Sequence, residues 1–147
     1  MLDPYNDIHR SILALCKKVL TDNLISDFQV FDFEAHAAEQ KMPDKDLIGI
    51  SEYSIENQTD MYSVTCMIVV VTKADDAGLK RLRSAIGKLF GTVKPNKRFP
   101  VYNLGGAQLG ELTVEDGVMV GPVGEAESRP VQAIAVSFGV GYKDLSI

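Results

Sequence analysis

Near the N-terminus the apolar residues Tyr5, Ile8, Ile12, Leu15, Cys16 and Val19 recur three and four positions apart. That period lines one side of a helix and predicts an amphipathic α-helix over about residues 4–21. Asp3-Pro4 supplies its start: an acceptor side chain at the cap, then a proline whose fixed φ suits the first helical position. The period then shortens to two. "DFQVFDFE" (27–34) is rich in aromatic and β-branched residues and predicts a strand. A polar connection, "AHAAEQKMPDKD", leads to a second strand, "LIGISEYS", and the polar "IENQTD" turns the chain into a third, "MYSVTCMIVVVT". In that third strand Tyr62, Val64, Cys66, Ile68 and Val70 share one face. The opposite face, Met61, Ser63, Thr65, Met67, Val69 and Val71, is polar at its start and apolar at its end. One side of the strand is therefore core throughout, and the other is covered only from about residue 67 onward.

Leu79, Leu82, Ile86, Leu89 and Phe90 make the stripe of a second helix over about 75–90. Asp75 and Asp76 suit its positive N-terminus, and Gly91 reads as its C-cap. A basic turn, "KPNKR", and a glycine-rich stretch, "VYNLGGAQLGEL", come next. In "ELTVEDGVMVGPV", Asp116-Gly117 is a two-residue hairpin signal, because both central positions of such a turn need positive φ. Pro122 cannot donate to a ladder and puts that hairpin at a sheet edge or outside the main sheet. The last strand is "VQAIAVSFGVGY", with Ile134, Val136, Phe138, Val140 and Tyr142 on one face. Its other face, Ala133, Ala135, Ser137, Gly139 and Gly141, is small enough for another backbone or helix to lie close. The order predicts an α+β fold: a mainly antiparallel or mixed sheet, two helices packed on one face, and an extra edge hairpin. The chain shows no internal repeat or domain boundary, so residues 1–147 read as a single domain.

Composition narrows the classes. With 147 residues, 46% hydrophobic and 24% charged, the chain can bury one core and does not fit global disorder. The longest apolar run, "CMIVVV", is far too short to span a bilayer, so no membrane is expected. "MLDPYNDIHR" lacks a basic-then-apolar signal pattern, which leaves Asn57-Gln58-Thr59 an empty glycosylation match. Cys16 and Cys66 share no CxxC spacing and read as two reduced, buried small hydrophobes. His9 sits beside the first helical stripe; with only His36 besides, neither suggests a metal ligand.

Charge is unevenly spread. Residues 3–60 hold twelve acids against five bases, and 111–147 hold six against two. Residues 77–110 hold seven bases (Lys80, Arg81, Arg83, Lys88, Lys94, Lys97, Arg98) and no acid, although the chain as a whole is at −5. Such a block can bind nucleic acid, pair with an acidic surface on another copy, or be a solvated helix face plus a basic turn.

The glycines do not make a phosphate loop. After Gly110 come Glu111 and Leu112 rather than a lysine and a hydroxyl residue, and the next segment reads as a strand rather than a helix. G-G-x-x-x-G also lacks the dinucleotide spacing. Gly105, Gly106 and Gly110 read instead as a mobile or tightly turned loop feeding the edge hairpin, a common place for contact with a neighbouring chain. There is no HExxH or GxSxG and no ligand spacing for a metal, and dispersed triads are neither supported nor excluded. Without tryptophan an aromatic base-stacking platform has little support. The expectation is a non-enzyme with no cofactor.

The helix, the first strand, then "DLIGISEYSIENQTDMYSVTCMIVVVTKADDAGLKRLRSAIGKLFG" and a final strand ending in tyrosine together resemble the tail-terminator (tail-completion) proteins of long-tailed bacteriophages. The resemblance covers about residues 4–91 and 130–143, rests on a strand–turn–strand–helix order, and does not extend to 94–128. It implies a hexameric ring that caps the tail tube, halts its polymerisation and presents a surface to the head connector. DNA would pass through the channel without specific binding. The location implied is the head-proximal end of the virion tail, with host cytoplasm during assembly. Candidate interface residues are Lys94, Lys97, Arg98, Gly105, Gly106, Gly110, Asp116 and Gly117. Other readings stay open: a neighbouring head–tail joining or tail-assembly protein, a nucleic-acid-binding module using residues 80–98, and a small enzyme with a dispersed site.

Overall fold

The computed structural model describes residues 3–23, 25, 27–34 and 41–143; His36 and most of the polar connection before residue 41 lie outside them. The first helix, α1 (Pro4–Asp22), lies where the apolar period places it, with proline in its first turn. Asp3 does not cap it with its side chain, and its carboxylate instead accepts the Asn6 side-chain amide at 3.0 Å. Of the expected strand 27–34 only β1 (Gln29–Val30) pairs, parallel to the next strand. β2 (Leu47–Asn57) and β3 (Tyr62–Val71) form the expected antiparallel pair. The second helix, α2 (Gly78–Thr92), starts three residues later than expected and contains Gly91 rather than ending before it. Then come β4 (Arg98–Tyr102), β5 (Gln108–Met119), β6 (Gly124–Ala126) and β7 (Arg129–Tyr142).

The strands make one mixed, mainly antiparallel sheet in the order β1-β2-β3-β7-β5-β4, with β6 beside the start of β7. The Asp116-Gly117 hairpin is not formed. β5 continues through both residues, paired along β7, and Gly117 has no positive φ. The ladder to β7 holds the chain extended there, and a local turn preference is weaker than that run of long-range pairs. The two-residue hairpin lies instead at Glu127-Ser128, between β6 and β7, with φ of 51° and 64°. Positive φ at both positions marks a type I′ turn, here without the glycine or asparagine that would have announced it. β4 lies in a segment that reads as turn and loop, yet it pairs with β5 from Arg98↔Thr113 to Val101↔Gly110.

Both helices pack on one face of the sheet and on each other. Between them and the sheet lies the main core, including Ile8, Ile12, Val64, Ile68, Leu82, Leu89, Leu112, Ile134 and Phe138, all buried. Cys16 and Cys66 are free and buried in it, and burial pushes both thiols up, Cys66 to about 12. The far face of the sheet is apolar at one end only. There Leu47, Val69 and Val71 join Met42, with Phe31, Phe33 and Met67 packed against them, so the cover begins where the β3 pattern places it.

Candidate functional site

The eight candidate residues separate into three places. Lys94 and Lys97 are the ends of a reverse turn closed by the Lys97 N–H to the Lys94 carbonyl at 3.1 Å. Pro95 at its second position and φ of 72° at Asn96 at its third give it type II character. The Asn96 N–H donates to the Val114 carbonyl and the Val114 N–H to the Lys97 carbonyl, which fixes the turn against β5. Gly117 completes that seat: a side chain there would come 2.7 Å from the Val93 carbonyl. The basic turn and the backbone of Asp116-Gly117 are thus brought together, with the Asp116 side chain on the opposite, open face of the sheet. Gly105 and Gly106, with φ of 88° at Gly106, form the exposed turn at the far end of β4. Gly110 is not in that loop. It is buried inside β5, where a side chain would meet the Gly141 carbonyl at 2.0 Å, and it shares a cleft of about 300 Å³ with Arg98, Glu111 and Lys143.

Strand alternation and two bulges decide what the far face of the sheet presents. A bulge sets two residues of one strand against one of its partner and so can turn successive side chains to the same side. In β2 the register shifts after Ser51, and Glu52 sits at φ of 50°. In β5 it shifts between Val114 and Asp116. Glu52, Asp116 and Val118 line a trough of about 280 Å³ with Thr65, Met67, Ala135 and Ser137, and the Glu115 carboxylate lies over Gly139. Glu56 and Glu111 fall on the same face by alternation. All five carboxylates are exposed, and none is in an ion pair among the described residues. Composition reveals acids in these segments, but not the bulges that gather them on one face.

The opposite side of the molecule carries the cations. On α2, Lys80, Arg83 and Lys88 are exposed and, among the described residues, unpaired; Lys94 and Lys97 continue that ridge past the helix end. The basic block does not act as one unit. Arg81 turns inward, its Nε 2.7 Å from Asp46 Oδ2 and its Nη1 2.9 Å from Asp75 Oδ1. Arg98 borders the acidic face beside Glu111.

Two further clefts flank this arrangement. One of about 620 Å³ is lined by Asp27, Lys45, Lys73 and the Arg81 ion-pair network; its charges largely answer one another. The hydrogen bond from Arg81 holds the Asp75 carboxyl below its ordinary value, and the same pairs raise the guanidinium. The other, an apolar groove of about 280 Å³, lies between α1 and β4. β4 is a protected edge: Pro100 has no N–H, and the Tyr102 N–H donates to Ser11 Oγ at 3.0 Å. Among the described residues no three His, Cys, Asp or Glu side chains gather as a metal group, and no helix is long and apolar enough to cross a membrane. No protein-family model matches the chain, and no curated protein sequence matches it.

Proposed function

We propose that the chain is a structural virion-assembly protein of the tail-terminator kind, which closes into a ring on the end of a tail tube and offers the head connector a joining surface. The observation that supports this is the division of charge between two opposite faces, five exposed carboxylates on the open sheet and five exposed cations along α2 and the turn after it. A surface that cannot pair with itself but complements the opposite side of the same molecule favours head-to-tail contacts, which close into a ring when the rotation allows. The acidic total of −5 also suits a ring through which DNA slides without sticking.

The test is sedimentation at matched concentration, with circular dichroism to monitor folding. The parent should assemble at low salt and dissociate as salt rises, because exposed charge pairs are screened. Lys94→Glu with Lys97→Glu should weaken each contact by about 1–2 kcal/mol, summing exposed pairs of about 0.2–1 kcal/mol and the repulsion that replaces them. Arg98→Glu, which adds a carboxylate to the acidic face, should not weaken assembly. A parent that stays monomeric even when mixed with tail tubes removes the ring reading. The cationic ridge also favours a second reading, a nucleic-acid-binding module. Duplex-DNA affinity falling steeply with salt, and lost in the same lysine variant, would select it.

A further inference from the structure

α2 contains two glycines that nothing among the described residues requires. Gly87 and Gly91 lie inside the helix, are exposed, have no positive φ, and a side chain built at either meets none of the described residues within 4 Å. Glycine inside a helix is less stable than alanine, because it loses more backbone freedom. Two such positions four residues apart form a smooth strip, and with Lys80 and Ser84 they fall on one line along the outer side of α2. Arg83 and Lys88 flank the strip. On the other side of the molecule lies a surface of complementary shape and charge. The trough over β3 and β7 has a floor of Thr65, Met67, Ala135 and Ser137 between walls bearing Glu52 and Asp116.

Resting on the head-to-tail reading above, we infer that the glycine strip of α2 seats in the sheet trough of a second copy. Arg83 and Lys88 then face the carboxylates of Glu52 and Asp116. Dimensions agree. Glu52 and Asp116 stand on strands three spacings apart, about 14 Å. Arg83 and Lys88 are five residues apart, about 7.5 Å along the helix axis, and stand on opposite sides of the strip on a helix about 10 Å wide, which separates their charges by roughly 12 Å. Glycine on the helix and Thr65, Ala135 and Ser137 beside Met67 in the floor let helix and sheet approach closely, and close approach strengthens the flanking ion pairs by excluding water. Two observations of different kind, superfluous glycines on one face and a trough walled by carboxylates on the opposite one, select the same occupant: another copy of this chain.

The full chain is compared by sedimentation, with thermal melts, as the parent, as Gly87→Gln/Gly91→Gln, as the ridge variant Arg83→Glu/Lys88→Glu, and as the trough variant Glu52→Lys/Asp116→Lys. Glutamine suits a helix better than glycine and finds open space in the monomer, so the glutamine variant should melt no lower than the parent. Its assembly should nevertheless weaken tenfold or more. Ridge and trough variants should each stay monomeric alone and assemble when mixed, since each supplies the face the other has lost. If the parent assembles and the glutamine variant matches it, or the mixture fails to assemble, this seating is overturned while the ring reading stands. If the parent is monomeric at every concentration, with tail tubes present as well as without them, both fall.

Discussion

Tyr142 closes the apolar face of β7 with its ring against Tyr62, centroids 5.6 Å apart, yet among the described residues its buried hydroxyl has no hydrogen-bond partner. A buried polar group without a partner costs free energy that its removal recovers. Tyr142→Phe should therefore leave the melting temperature unchanged or raise it, by up to about 1 kcal/mol of stability; a clear loss in a thermal melt would reveal a bond the hydroxyl makes. The Arg81 network tests electrostatics at the same scale. Asp75 binds its proton less readily when folded, chiefly because Arg81 donates to it. Its contribution is thus present above the ordinary carboxylate value, about 4, and is lost as the pH falls through and below it. Melts of the parent and Asp75→Asn taken from neutral to acid pH should converge at the acid end; parallel curves would show that the charge of Asp75 contributes nothing. None of this network is legible in the sequence. Asp46 and Arg81 are 35 positions apart, and Asp75 reads as a dipole-matched helix start.

At the scale of elements, periodicity finds both helices and the long strands because their apolar residues report which side is buried. Turn chemistry is less reliable. Asp116-Gly117 carries the strongest local turn signal in the chain, yet it lies within β5 because β7 pairs with the residues on both sides of it. Glu127-Ser128 carries none and turns, because β6 and the start of β7 pair on each side of it, down to Ala126↔Arg129. Ser128 therefore holds a left-handed conformation that glycine adopts without cost, and Ser128→Gly should stabilise the protein by up to about 1 kcal/mol. Denaturant unfolding checks this; an unchanged or lower midpoint would mean the serine side chain offsets the backbone strain.

The whole molecule has one main core, built from both helices and from β2, β3, β4, β5 and β7. A single shared core predicts one cooperative transition rather than two. Val64 and Ile134 are both fully buried at its centre, so Val64→Asp or Ile134→Asp, each leaving an unpaired carboxylate there, should abolish the fold at a cost of several kcal/mol. A melt of either variant matching the parent would remove that residue from the core. By itself the sequence determined the α+β class, the helix-facing sides of β3 and β7, and the far face that becomes covered only toward Val69 and Val71. Those features come from where apolar side chains recur, a property of neighbouring residues. The tertiary structure alone decided that β5 passes through Asp116-Gly117 and that "RFPVY" is an edge strand. It also decided that Glu52, Glu115 and Asp116 share a face opposite the cations of α2. Each of these depends on strand pairing and bulge position, set by partners far along the chain, and no local pattern of residues contains that information.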